Sequence, residues 1–519
     1  MDDRAGKAAE EGVRAPVSRR VFLAESAAAT ALTIVPRRVL GGSGHLAPSD
    51  MIVLAQVGCG TQAQRQVDTG LVARKDLQFV AVVDPNRDSQ NYLDWEEWGN
   101  RERIRRFLDE PTWGEGDTGI RAGRDVARLI LETYYRKQGR PAAGIRAYED
   151  YREMLDKETD VQGIVNITPD HQHGSINVSA LRKGRAAISH KPVASVLHEV
   201  RRTVEAARAS AAASHLLAYS NTPDRHTLAA WIKAGVIGTV REVHNWTNRP
   251  FWPQGWQEYY RSGPPVPGGF NWELWQGPEP DRPYHPNYTF VVYRGWYAYG
   301  AGCLGDMGFY SLWQPYRILD LGVPELVEAR PNNEAFVSDK NVSDGGHVSL
   351  VGFPKASTIR WRHPATASRP SVDTFWYDGG MKPQTPEELY ADDEDLASEG
   401  MLFVGDQGKI LCDFRANKPR LVPRSRQRAF EGSVAVPEFD ATTAEEEWIN
   451  ALRNGTRSRG SFEQVEALAE AVTLGNIALR VPYKRLRWDA QRMEFTNSAE
   501  ATRLVRREQY RAGWEQLFD

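Results

Sequence analysis

Between residues 51 and 219 the apolar positions alternate between short unbroken runs of strand length and longer stretches with helical spacing. Met51-Ile52-Val53-Leu54-Ala55-Gln56-Val57 and the run 79–83 read as strands buried on both faces, the pattern of a parallel sheet covered by helices. Farther on, the spacing predicts a helix over 148–157, a strand over 161–167, a helix over 175–183, a strand over 186–189, a helix over 196–213 and a strand over 215–219. Strand and helix in turn imply an α/β domain with a Rossmann-type, doubly wound parallel sheet. Residues 91–140 break this rhythm. They are charged and aromatic (Asp94-Trp95-Glu96-Glu97-Trp98) and turn helical again over 126–135, so an insertion capping the domain is expected there.

From residue 221 the pattern changes to half-buried strands (240–247, 358–361, 401–412) separated by long Pro-, Gly- and Trp-rich loops, and it returns to helix at 443–454 and 462–480. A second α+β domain with a mostly antiparallel sheet follows from this. The expected division is a leader over 1–49, a nucleotide domain over 50–219 and a substrate domain over 220–519. Seven of the 16 tryptophans fall between Trp246 and Trp313. Such density in loops suits either a core or a carbohydrate site, where flat rings pack on sugar C–H groups.

Composition narrows the classes. A chain of 519 residues is long enough for at least two domains, and 65 basic against 68 acidic residues give a net charge of −3. With no long basic block, neither nucleic acid nor an anionic membrane is implied as a partner. Three scattered cysteines, Cys59, Cys303 and Cys412, exclude a disulfide framework or a zinc site, so no metal is expected. The leader carries Ser18-Arg19-Arg20-Val21-Phe22-Leu23, the twin-arginine export pattern, ahead of an Ala-rich apolar run. That run, about fifteen residues with Glu25 inside it, is short of the roughly twenty needed to span a bilayer. A twin-arginine route and a location outside the cytoplasm, periplasmic or membrane-anchored, are therefore expected, with leader removal and retention both open. That route carries folded proteins, which suits an enzyme loaded with its nucleotide before export.

The first strand runs into Gly58-Cys59-Gly60-Thr61-Gln62-Ala63. Two glycines permit a tight turn and close approach to a pyrophosphate, and a small Ala63 lets the next helix sit near the sheet. Asp84 ends the second strand, 24 residues past Gly60, where a carboxylate would take the ribose hydroxyls. This acid favours NAD; Arg87, three residues on, keeps NADP open by offering a partner to a 2′-phosphate.

Three further clusters carry chemistry. Thr168-Pro169-Asp170-His171-Gln172-His173 follows a strand at the sheet edge that holds ligands. Ser189-His190-Lys191-Pro192 puts Lys191 at a strand end near the nucleotide, where it can donate to a substrate hydroxyl or, with its pKa lowered by burial, act as a base. In the third, Arg294-Gly295-Trp296-Tyr297 precedes Gly305-Asp306-Met307-Gly308-Phe309-Tyr310, and Asp306 and Tyr310 at i and i+4 share a helix face. The plain alternatives are capping or solvated histidines, a surface lysine and packed aromatics.

With these motifs the chain resembles the glucose-fructose oxidoreductase, inositol dehydrogenase and rhizopine-catabolism family, often written Gfo/Idh/MocA. The resemblance spans residues 51–514 and includes a late Leu474-Gly475-Asn476-Ile477-Ala478-Leu479-Arg480. It implies hydride transfer at a ring hydroxyl carbon of a sugar, glycoside or cyclitol with a tightly held NAD. The implied catalytic residues are Lys191, Asp306 and Tyr310. The cofactor set is Gly58, Gly60, Thr61, Gln62, Ala63, Asp84, Arg87, Thr168, Pro169, His171, His173 and His190, and the substrate set Arg294, Trp296 and Tyr297. A homodimer or homotetramer through the second domain's sheet is also implied. Two positions depart from the family pattern: His190 replaces the glutamate of its Glu-Lys-Pro motif, and Tyr310 replaces its catalytic histidine. A redox-neutral glycosidase or lyase working by transient oxidation, and a non-catalytic sugar-binding protein, are the alternatives.

Overall fold

A computed structural model describes residues 50–140, 144–333, 348–430 and 434–519. The twin-arginine segment lies outside them. The first eight strands are β1 Ile52–Val57, β2 Leu77–Val83, β3 Ser89–Tyr92, β4 Ile120–Ala122, β5 Arg146–Tyr148, β6 Gly163–Asn166, β7 Ala186–Ser189 and β8 Ser214–Leu216. Six of them make one sheet in the order β5-β2-β1-β6-β7-β8, with every neighbour parallel. The chain passes from β1 to β2 on one side and returns to β6 on the other. The switch point of this Rossmann-type sheet therefore lies between β1 and β6, and the loops leaving those two strands flank the crevice where such sheets bind ligands.

The helix Arg124–Lys137 buries Val126, Ala127, Ile130, Leu131 and Tyr135 and is the crossover from β2's side of the sheet to β5. The Tyr135 hydroxyl fastens it there by accepting the Phe79 N–H at 3.0 Å. What interrupts the rhythm is thus shorter than 91–140: the antiparallel pair β3–β4 and the helix Gly99–Leu108 between them.

The second sheet is built from β9 Val240–Trp246, β10 Leu326–Pro331, β11 Ser357–His363, β12 Val372–Asp378, β13 Gly400–Gly405, β14 Gly408–Cys412, β15 Arg420–Val422, β16 Leu486–Asp489 and β17 Glu494–Phe495. Its order is β15-β14-β13-β9-β12-β11-β10-β16-β17, antiparallel except for β9 against β12. Alternate residues of β11, Ser357, Ile359, Trp361 and His363, are buried, as a strand with one covered face requires. The cover comes from the helices Gly302–Ile318 and Glu466–Arg480. Trp361 Nε1 donates to the Ala471 carbonyl at 2.9 Å, and a Cβ at Gly475 would lie 2.8 Å from both Leu304 Cδ2 and Trp361 Cζ2. This close approach sets the helix from which Asp306 and Tyr310 project. Among the described residues no helix is long and apolar enough to cross a membrane.

Candidate active site

At the end of β1 the chain turns at Gly58, whose φ of +91° suits glycine and whose hydrogen leaves room for β6: a Cβ would sit 2.5 Å from the Ile167 carbonyl oxygen. The turn is held by Asp84. Its carboxylate accepts the Cys59 N–H at 2.7 Å and the Asn86 N–H at 2.8 Å. Burial pushes its pKa up to about 6 against those two bonds. Cys59 is buried, with its thiol pushed up by the same burial, and fills the turn as an apolar side chain. Gly60, Thr61, Gln62 and Asp84 line a cleft holding about 970 Å³ of open space, joined by Thr168, Pro169, His173, His190, Lys191, Arg294 and Tyr310. The helix Thr61–Arg65 begins with no side-chain cap. Its first N–H groups are free for a phosphate, which together with the buried acid at the β2 end fits a dinucleotide.

Several expected residues stand elsewhere. Ala63 is buried behind the turn, packing its helix on the sheet rather than facing the cleft. Arg87 is exposed and absent from the cleft wall; its backbone N–H bonds the Gly269 carbonyl at 2.8 Å, which carries the side chain out over the 267–271 loop. The Arg87 side chain therefore does not line the nucleotide cleft. His171 is fully buried, its Nδ1 3.1 Å from the Tyr299 carbonyl and its Nε2 2.8 Å from the Trp275 carbonyl, and burial lowers its pKa to about 3. It pins the aromatic loops to the first domain and does not reach the cleft. Trp296 is also fully buried, stacked on Trp256 at 4.9 Å, and the Tyr297 ring packs on Phe353 at 4.2 Å. Neither lines this cleft. Most of the tryptophan-rich segment is a small core of its own, Phe270, Trp272, Trp275, Tyr284, Tyr288, Tyr293, Trp296 and Tyr299.

His173 lies with Nδ1 2.7 Å from the Pro192 carbonyl and Nε2 2.8 Å from the Thr168 carbonyl, tying the β6 and β7 ends together. His190 Nε2 is 2.9 Å from Gln66 Nε2, and burial, then the charge of Lys191, lower its pKa well below the usual value. A neutral ring here accepts the Gln66 amide proton.

Lys191 Nζ pairs with Asp306 Oδ1, and Arg294 Nε reaches the same oxygen at 3.1 Å. The three side chains are 7%, 9% and 13% exposed, so the charges are largely removed from water. Burial would raise Asp306, but the charges of Lys191 and Arg294 and their hydrogen bonds hold it down to about 2. For Lys191 burial favours the neutral amine, and Asp306 outweighs it, leaving the pKa raised. Of the two roles expected for this lysine, a hydroxyl donor or a base lowered by burial, the raised pKa fits the donor. Arg294, expected on the substrate, instead supplies the second cation on Asp306. One helical turn past Asp306, the Tyr310 ring lies 5.8 Å from Lys191 Nζ.

A second, more open cleft of about 1890 Å³ shares Gln62, Lys191, Val291, Arg294 and Tyr310 with the first and adds Asp306. Its rim brings in residues the sequence reading passed over: Trp95, 45% exposed, Phe251, 60% exposed, and Arg65, Arg249, Trp252 and Arg415. Trp95 reaches it because Thr61 Oγ1 donates to the Leu93 carbonyl at 3.1 Å, folding the β3–β4 segment over the nucleotide turn. Among the described residues, no group of three His, Cys, Asp or Glu side chains is placed to hold a metal ion.

A nucleotide turn at the switch point of a parallel sheet, opening onto a lysine shared with a second cleft, defines a two-domain nucleotide-dependent enzyme. Residues 130–216 match a family model described as oxidoreductase family, NAD-binding Rossmann fold, and residues 228–321 match the same family's C-terminal α/β domain. Both models describe domains of the Gfo/Idh/MocA oxidoreductase family, to which these residues are similar, and the first describes an NAD-binding Rossmann domain. The matched residues include Lys191, Arg294, Asp306 and Tyr310; the turn at 58–63 precedes them and rests on its geometry. A search of curated protein sequences found no match. Among solved structures, the WlbA dehydrogenase of Chromobacterium violaceum, in complex with NADH and UDP-GlcNAcA, is 12% identical over 85% of this chain and 97% of its own, with a TM-score of 0.50. The Bordetella pertussis WlbA dehydrogenase is 14% identical over 85% and 99%, with a TM-score of 0.48. The aldose-aldose oxidoreductase of Caulobacter crescentus is 14% identical over 84% and 100%, with a TM-score of 0.46. At these identities the likeness is one of fold.

Asp84 yields a prediction with a pH signature. If its ionised carboxylate accepts the ribose hydroxyls, NAD affinity should fall as pH drops through about 6 and the group protonates. Asp84→Ser is expected to weaken NAD binding, narrow the preference over NADP and flatten that pH dependence. Calorimetric titration with both nucleotides between pH 5 and pH 8, a range bracketing the shift, checks it; an unaltered NAD profile in the variant removes Asp84 from the site.

Proposed function

We propose that the protein oxidises or reduces a ring carbon of a sugar, glycoside or cyclitol, using NAD that it holds tightly. The observation that carries this reading is the position of Lys191, whose ammonium stands where the nucleotide cleft and the open cleft meet. The exposed rings at the rim of the open cleft, Trp95 and Phe251, suit the apolar face of a sugar. When bound, NAD supplies the acceptor or donor of hydride.

This chain's residues handle the oxygen. Gly58, Gly60, Thr61 and Gln62 with Asp84 fix the dinucleotide, and Thr168, His173 and His190 close the wall beside it. Lys191, cationic in its pair with Asp306, donates to the substrate oxygen and gives up a proton there when a ketone is reduced. In the oxidising direction the same group accepts the hydroxyl proton only after losing its own. Reduction should therefore run at neutral pH, and oxidation should rise with pH as Lys191 deprotonates. Tyr310, beside Lys191, orients the neighbouring hydroxyl.

Export of the folded, loaded protein by its twin-arginine leader belongs to the same reading. The test is to purify the protein from outside the cytoplasm, denature it by heat and identify the released small molecules by mass spectrometry. NAD or NADH near one per chain is expected; protein that reaches that compartment empty, or never reaches it, overturns tight binding or export respectively.

A further inference from the structure

The open cleft carries more positive charge than its own carboxylates neutralise. Five cations line it: Arg65, Lys191, Arg249, Arg294 and Arg415. Arg65 is paired with Asp94, Arg249 with Glu399, and Lys191 and Arg294 together share the single charge of Asp306. Arg415 has no carboxylate partner within ion-pair distance among the described residues. The remaining lining acid, Glu96, is exposed at the rim on the β3–β4 segment.

Arg415 is nonetheless firmly placed. It lies between β14 and β15, where its N–H donates to Asp413 Oδ1 at 2.9 Å and its carbonyl accepts from Arg225 Nε at 3.0 Å. Asp413 spends its oxygens on this turn, also accepting the Asn417 N–H at 2.8 Å. Arg225, 3% exposed, donates otherwise to Ser220, so a second cation with only neutral acceptors backs the first. From this anchor the Arg415 guanidinium extends over the Tyr310 ring at 4.7 Å, on the residue that flanks Lys191.

We infer that the substrate carries an anionic group, a carboxylate or a phosphate, which Arg415 holds beside the reacting carbon. A planar guanidinium offers paired donors that match both oxyanions, and a cleft with net positive lining concentrates anions at its mouth. The inference rests on the oxidoreductase reading of this site and narrows its substrate from sugars at large to acidic ones.

The test is calorimetric titration of the full chain saturated with NADH. The probes are D-glucuronate, D-galacturonate and D-glucose 6-phosphate, set against the neutral glucuronate methyl ester and D-glucose. Anionic sugars are expected to bind roughly ten- to a hundredfold tighter than their neutral counterparts, the size of one charge-assisted hydrogen bond. That margin should shrink with added salt and collapse in Arg415→Gln, whose melting temperature should match the wild type because the side chain is exposed. The uronate and phosphate arms separate the two anions. Neutral sugars binding as tightly as acidic ones, a margin that survives Arg415→Gln, or no binding by any anionic sugar overturns the inference. Failure of the oxidoreductase reading shows differently, as acidic sugars that bind yet never reduce the cofactor when the chain is loaded with NAD in place of NADH.

Discussion

Lys191→Met is expected to slow reduction of bound NAD by substrate by roughly 10²–10⁴-fold, the ordinary worth of a positioned acid–base group. The fold should survive. Asp306 keeps Arg294 as a partner at 3.1 Å, so the substitution removes one cation of two and leaves no bare charge in the core. Methionine fills the stem's volume without a donor. Tyr310→Phe, which deletes one hydroxyl, should cost less if Tyr310 only orients substrate, and about as much if it has taken over proton transfer. Single-turnover absorbance at the nicotinamide band reports both variants against the wild type. A Lys191→Met protein that reduces its cofactor at the wild-type rate removes Lys191 from the chemistry and leaves Tyr310, Asp306, His173 and His190 as the titratable groups in reach.

The parts of this site that local pattern specifies were legible in the sequence. An apolar run, two glycines and an acid at the next strand's end dictate a βα turn with a carboxylate under it, and the structure puts Gly58, Gly60 and Asp84 on one cleft wall. The helical spacing of Asp306 and Tyr310 likewise survives. What failed depends on which long-range neighbour each residue meets. Trp296 and His171 belong to types equally at home in a core and in a site, and the choice was made by Trp256, Trp275 and Tyr299, which pack against them. Which of its two expected roles the lysine takes is decided in the same way. Strand-end burial and an acid facing the lysine are both visible in sequence, whereas the balance between burial and the Asp306 charge 115 residues away is set by the fold. Arg415 gave no signal at all, since a lone arginine in a turn has no partner in the chain nearby. The nine-stranded order was equally hidden, because β9 is flanked by β12 and β13, far downstream.

Asp306→Asn should be the most damaging single change to stability near the site, because it strands two cations at once. Lys191 and Arg294 are 7% and 13% exposed and meet on one carboxylate oxygen. Removing one partner of a buried pair typically costs about 3–5 kcal/mol, since the remaining charge stays desolvated without compensation. The pH dependence should also change sign. In the wild type Lys191 has a raised pKa, so its contribution is complete below the unfolded value and fades as pH climbs through the folded one. Asp306 contributes above its unfolded value and is lost as pH falls toward about 2. With asparagine in place, burial and the Arg294 charge act on Lys191 unopposed and lower its pKa. The unfolded chain then binds more protons than the fold, and stability rises with pH in the alkaline range. The same lowering should carry the pH profile of substrate oxidation toward neutrality, even as the maximal rate falls. Denaturant melts at a series of pH values, run on Asp306→Asn and on the double variant with Lys191→Met, separate the causes. The double variant holds one stranded cation instead of two and should recover part of the loss. Equal destabilisation of the single and double variants would mean that the loss comes from the shape of the Asp306 side chain, and the charge argument for how Lys191 is held would fall with it.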